Sequence, residues 1–137
     1  MTTSRFARPP APPMSLPEVN LRLFALTEEL EGVQKAIEPL LAEHQRVSLR
    51  YELEYAAVVA SSEHRSEDRR KAQAVVAMTK THMDDSPEDL ATRKAVLEMR
   101  IKSLREAGHN VRAAINGMQT LSANLRAEAN LGGVGRP

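Results

Sequence analysis

Residues 90–131, LATRKAVLEMRIKSLREAGHNVRAAINGMQTLSANLRAEANL, decide the fold. Along them Leu90, Lys94, Leu97, Ile101, Leu104, Gly108, Val111, Ile115, Met118, Ser122, Leu125 and Ala129 recur at alternating intervals of three and four. This is the a/d seam of a coiled coil, an apolar edge running along a helix longer than a compact domain of this size needs. Upstream, Leu23, Leu26, Leu30, Val33, Ile37, Leu40, His44, Val47, Tyr51, Glu54 and Val58 keep the same rhythm. Two long amphipathic helices therefore frame the chain.

The ends of these helices are written in local chemistry. Ser15 and Glu18 have capping-box spacing with Pro17 in the first turn, so the first helix is expected over about 16–60. Pro39 removes one internal hydrogen bond, at a cost of about 3 kcal/mol. The seam keeps register across it through Ile37 and Leu40, which favours one kinked helix over two. A polar break at 61–65 leads to Ser66, Glu67 and Asp68, a cap with acids at the positive end of a helix dipole. A shorter helix follows over about 66–83, with Ala72, Val75, Val76 and Thr79 on one side. Ser86, Pro87 and Asp89 then predict a third helix over about 87–131, with Ser86 as its cap and Gly108 and Gly117 as weak formers inside it. The fold class is all-α: an elongated, coiled-coil-like hairpin bundle of two long helices and one short one.

Outside this single helical domain (16–131), residues 1–15 read as a disordered tail, because Pro9, Pro10, Pro12 and Pro13 favour extended polyproline II. Gly132, Gly133, Gly135 and Pro137 make 132–137 a flexible tail. The 137 residues include no Cys, no Trp, two Phe and two Tyr, a helical-bundle composition that excludes disulfides and thiolate metal sites. No apolar run reaches the roughly 20 residues of a membrane span, and no secretory h-region is present. A cytoplasmic protein with no membrane partner is expected, in the host cytoplasm if a phage encodes it.

A helix of about 45 residues is close to 65 Å long, twice the width of a globule of this mass. Two such helices leave part of each stripe uncovered, so a homo-oligomer is expected, held through Leu26, Leu30, Val33, Ile37, Leu97, Ile101, Leu104, Val111, Ile115 and Met118. A monomeric three-helix bundle would use the same stripes as an ordinary core.

Charge is unevenly placed. Residues 16–60 hold eight acids against four bases, whereas 61–137 hold thirteen bases against ten acids, although the net charge is only +1. Arg65, Arg69, Arg70 and Lys71 cluster between the first two helices. On the third, Arg105, Arg112 and Arg126 share one flank of the seam and Arg93 and Arg100 the other, and Lys94 and Lys102 belong to the same basic stretch. Phosphate backbones reward such repeats through counterion release. Equally, basic flanks pair with acidic ones in coiled coils. Tyr51 falls on the seam; Tyr55, one turn on, could stack on a nucleobase or pad a helix interface.

Catalytic patterns are missing. His44, His64, His82 and His109 lack the spacing that brings two imidazoles to one metal, and His82 with Asp84 and Asp85 reads as a solvated helix end. There is no phosphate loop or nucleophile elbow, so no enzyme, cofactor or metal is expected.

The layout over about 40–130 resembles the small phage recombination mediators of the UvsY type. In that family a Lys-x-Arg-Leu-Asp-Tyr stretch near the end of a long helix is associated with single-strand binding. Here Arg50, Tyr51, Glu52, Leu53, Glu54 and Tyr55 stand in the comparable place. Arg50, Leu53 and Tyr55 match; Glu52 replaces the second basic residue, and residues 60–64 lack glycine. The resemblance implies a non-enzymatic, oligomeric, all-helical protein that binds single-stranded DNA and helps load a recombinase, with a single-strand-binding protein as a further partner. The DNA-contacting set expected from charge and resemblance is Arg50, Tyr55, Arg65, Arg69, Arg70, Lys71, Arg100, Arg105 and Arg112. The alternatives are a structural helical oligomer, such as a phage assembly scaffold or chaperone indifferent to DNA, and an adaptor acting through its proline-rich arm.

Overall fold

The computed structural model describes residues 14–83 and 85–134. Most of the proline-rich leader, Asp84 and the last three residues, all discussed above, lie outside the described residues. The chain forms three helices, α1 (Leu16–Ser61), α2 (Glu67–Met78) and α3 (Leu90–Val134), and among the described residues no strand occurs beyond an isolated bridge between His82 and Asp89.

Helix α1 opens as a capped helix: the Glu18 N–H donates to Ser15 Oγ at 3.4 Å, and Glu18 lies in the first turn near the positive dipole end. It runs unbroken through Pro39, whose ring occupies an exposed position. The carbonyl of Lys35 that loses its partner is therefore on the solvent side, where water can take its place.

Helix α2 differs from expectation in three ways. Ser66 is its N-cap residue with extended backbone, but its side chain makes no capping bond. The helix stops at Met78, five residues short of 83, because Thr79 and Thr81 turn their hydroxyls back onto the carbonyls of Val76 and Ala77 at 2.6 and 2.9 Å. Such bonds compete with the helical ladder, and tighter bonds from the Thr79 and Lys80 N–H groups to Val76 and Ala77 complete the turn. Its inward face is also another one: Ala74 and Met78 are buried, while Ala72, Val75, Val76 and Thr79 are exposed. Ala74 and Met78 lie one turn apart on the face turned to the core, and Val75 and Val76 are rotated away from it.

The start of α3 is moved too. Its cap is Asp89, not Ser86: Asp89 accepts the Thr92 N–H at 2.8 Å and the Thr92 hydroxyl at 2.9 Å, while Ser86 Oγ takes the Glu88 N–H at 3.2 Å in the preceding turn. A carboxylate on the first free amides is the stronger partner for the dipole. The Leu90 N–H also donates to the Thr81 carbonyl at 2.8 Å, which ties the start of α3 to the end of α2. At its other end α3 runs on through Gly132 to Val134, with no glycine at positive φ among the described residues.

The chain divides into two compact units, one of residues Met1–Glu29 with Val111–Pro137 and one of Leu30–Asn110. In the first, Val19 and Leu26 of α1 and Val111 and Ser122 of α3 are buried. In the second, Val47, Met78, Leu90 and Leu97 form the buried centre, with Leu40, Tyr51, Tyr55, Val58, Ala77, Met83 and Ala91 packed around it. There α1 and α3 lie antiparallel: a Cβ on Gly108 would sit 3.5 Å from Val33, His44 meets Glu98 at 3.2 Å, and the Lys94 ammonium stands 4.6 Å from the centre of the Tyr51 ring.

Glu43 braces the second unit. It accepts from Arg46 on its own helix, at 2.9 Å from Nη2, and from Arg93 of α3, while Arg46 reaches Asp85 at 3.0 Å. The Arg46 hydrogen bonds, then those of Arg93, hold the Glu43 carboxyl below the ordinary 4.5. The Thr92 N–H likewise holds Asp89 below 3.8. Ionised Glu43 therefore favours the folded state fully above the ordinary glutamate value, and this contribution disappears as pH falls through the lowered one. Glu43→Gln should lower the melting temperature at neutral pH and flatten the acid limb of its pH profile, as read by circular dichroism. Gly117 offers a second check, since a Cβ there meets nothing within 4 Å. Gly117→Ala should stabilise α3 by about 1 kcal/mol in chemical denaturation.

Candidate nucleic-acid interface

Each expected contact residue can be followed to its place. Arg50 pairs with Glu54 one turn on at 2.9 Å, and with Arg46, Met83 and Asp85 it lines a groove of about 410 Å³. Tyr55 is half-buried; its ring stacks on Tyr51 with centroids 6.1 Å apart and planes 16° apart, and it packs against the core. Two of its options as a base-stacking platform, depth and a free face, are thus partly taken by the protein itself. Arg70 is half-buried and donates to the carbonyls of His64 and Arg65 at 2.7 and 3.0 Å, so it closes the connection between α1 and α2. Lys71 pairs with Glu67 at 3.2 Å, a bond that holds its ammonium protonated above the usual lysine value.

The remaining cations stand apart from these. Among the described residues Arg65, Arg69, Arg100, Lys102, Arg105 and Arg112 are exposed and have no ion pair. The choice between phosphate and acidic helix is therefore divided along α3. Arg93 is committed to Glu43 and Lys94 to Tyr51 and Glu98, whereas Arg100, Lys102 and Arg105 are uncommitted.

The helical turn separates these last three. Lys102 and Arg105 lie on one flank of α3 and line a groove of about 410 Å³ with Leu41 and His44 of α1 and Glu98, Ile101, Glu106 and His109 of α3. Its floor is apolar, with Ile101 buried, and its rim carries two unpaired cations, two imidazoles and two carboxylates. His44 is positioned by Glu98 at 3.2 Å and by Ser48 Oγ at 3.4 Å. Arg100 lies on the other flank, in an apolar trough with Leu40, Val96, Met99, Ser103 and Leu104. Arg112 belongs to the other compact unit.

An apolar floor beneath unpaired cations can hold a base against the floor and a phosphate at the rim. Lys102, His44 and His109 were absent from the expected contact set. The one sequence signal for His44 was its polarity at a seam position, which marks a place where the seam must open to a polar partner.

The residues expected to hold copies together are used inside the chain. Leu26, Leu97, Ile101 and Val111 are buried in a single copy, and Leu30, Val33, Ile37, Leu104, Ile115 and Met118 are half-buried. The exposed large apolar side chains are others: Leu21, Phe24, Leu41, Leu49, Leu53, Val75, Val76, Met99 and Leu131. Among the described residues no group of three or more His, Asp or Glu side chains converges as a metal site, and no helix is long and apolar enough to cross a membrane. Comparison with family models, with curated proteins and with solved structures finds no match to this chain.

Proposed function

We propose that this chain is a non-enzymatic, single-stranded DNA-binding protein that acts as a recombination mediator and helps load a recombinase, working as a homo-oligomer whose helices pair in coiled-coil fashion. The observation that carries the DNA-binding part is the pair Lys102 and Arg105, exposed and without ion pairs among the described residues, at the rim of a groove with an apolar floor. Arg65 and Arg69 add a second exposed and unpaired set at the connection before α2. The recombinase and a single-strand-binding protein enter through the resemblance to the UvsY type. Weak grips by several copies would add up along one flexible strand, which makes binding tight at low salt and steeply salt-sensitive.

The second reading is a structural oligomer such as an assembly scaffold or chaperone, favoured by the exposure of Leu49, Leu53, Val75 and Val76. It requires assembly that ignores DNA.

A labelled oligothymidylate titrated by fluorescence anisotropy across a salt series separates the two. Binding should weaken linearly on logarithmic axes, and Lys102→Ala with Arg105→Ala should shallow the slope by about 0.7 for each phosphate no longer neutralised. Helical content by circular dichroism should be unchanged. An absence of binding at low salt, or a slope indifferent to both substitutions, excludes this groove as the DNA surface.

A further inference from the structure

Two exposed surfaces of this chain are unlike each other and complementary. One is the trough on the flank of α3 opposite Lys102 and Arg105. It has a volume of about 450 Å³, in the range that accepts bulky side chains, and its lining is apolar apart from Ser103 and Arg100. Met99 on its edge is 69% exposed. Arg100 is exposed and has no ion pair among the described residues; it stands at the junction of this trough with a neighbouring groove that it lines with Glu43, Glu88 and Arg93.

The other surface is the outer face of α1 near its start. Val19 and Leu26 point the helix inward, and half a turn round from them Leu21 and Phe24 are 71% and 65% exposed. Glu28 follows Leu21 by two turns and Phe24 by four residues, so all three share one face. Glu28 is exposed and has no ion pair among the described residues either. Two large apolar anchors with a carboxylate one turn away are what an apolar trough with a single arginine selects.

We infer that copies of this chain associate head to tail, with Leu21 and Phe24 of one copy seated in the trough of Leu40, Val96, Met99 and Leu104 of the next and Glu28 meeting Arg100. A contact between two different patches is heterologous, and it closes into a ring or continues as a filament according to the rotation between copies. A symmetric pairing through the other exposed α1 stripe, Leu49 and Leu53, is disfavoured by charge: an antiparallel arrangement sets Arg50 against Arg50 and Glu52 against Glu52. The assembly step in the proposed function acquires a specific surface here, but the inference stands on these two patches alone.

Sedimentation velocity of the full chain without DNA tests it, so that failure here and failure of DNA binding are read separately. The wild type should associate with rising concentration. Arg100→Glu and Glu28→Arg should each weaken association at least about tenfold while circular dichroism stays unchanged. Mixing the two variants should restore it, because each then carries the charge that the other's patch requires. Met99→Ser, which removes apolar surface from the trough without adding a charge beside the ion pair, should weaken association as well. A wild type that stays monomeric, variants that associate as the wild type does, or a mixture that remains apart would each overturn the inference; the second of these would point to the Leu49 and Leu53 stripe.

Discussion

The packing of Met78 against Val47, Leu90 and Leu97 is the contact on which the described architecture depends. It draws one residue from α2, one from α1 and two from α3, so a single buried thioether side chain joins all three helices. Burying such a side chain contributes about 1.5–3 kcal/mol, a large share of the stability of a small helical unit. Thr79 and Thr81 end α2 just past it, and the Asp89 cap, with the Leu90 N–H on the Thr81 carbonyl, starts α3 beside it. From that start each later residue of α3 turns by about 100°, so the register of Leu90 decides which flank carries Lys102 and Arg105 and which carries Arg100.

Electrostatics refines this arrangement rather than creating it. Glu43 is shared by Arg46 and Arg93, and His44 and Lys94 both reach Glu98. These groups are partly exposed, so each pair alone contributes little, and their value lies in geometry: the Arg93–Glu43 and His44–Glu98 pairs join α1 to the early turns of α3. The same pairing consumes the cations nearest that end and leaves those further along α3 uncommitted. The free positive charge on this helix is thus defined by subtraction, as what the fold itself does not use.

The two flanks of α3 then differ in kind. One groove mixes cations, imidazoles and carboxylates over Ile101, a setting for a polyanion with an apolar base. The other is a greasy trough with one arginine, a setting for an apolar side chain with a carboxylate nearby. One narrow helix carries both because residues three or four apart stay on one flank while a step of five crosses the seam, as Arg100 to Arg105 does.

Periodicity is a one-dimensional property, and the sequence alone determined what depends on it. The two long helices and the seam positions of Leu26, Val47, Leu97, Ile101 and Val111 follow from a 3-4 rhythm that survives in any context, whereas the burial of these residues within a single copy was decided by the packing. Tertiary structure decided whatever turns on competition between near-equal local choices. Asp89 displaced Ser86 as the cap, Thr79 and Thr81 ended α2 early, and Ala74 with Met78 displaced Val75 and Val76 on its inner face. The fate of each arginine belongs to the same class, because a guanidinium is taken or free according to which carboxylate the opposing helix brings within about 4 Å. Charge placement along the chain shows how many cations there are; only the packed helices show which of them remain unpaired.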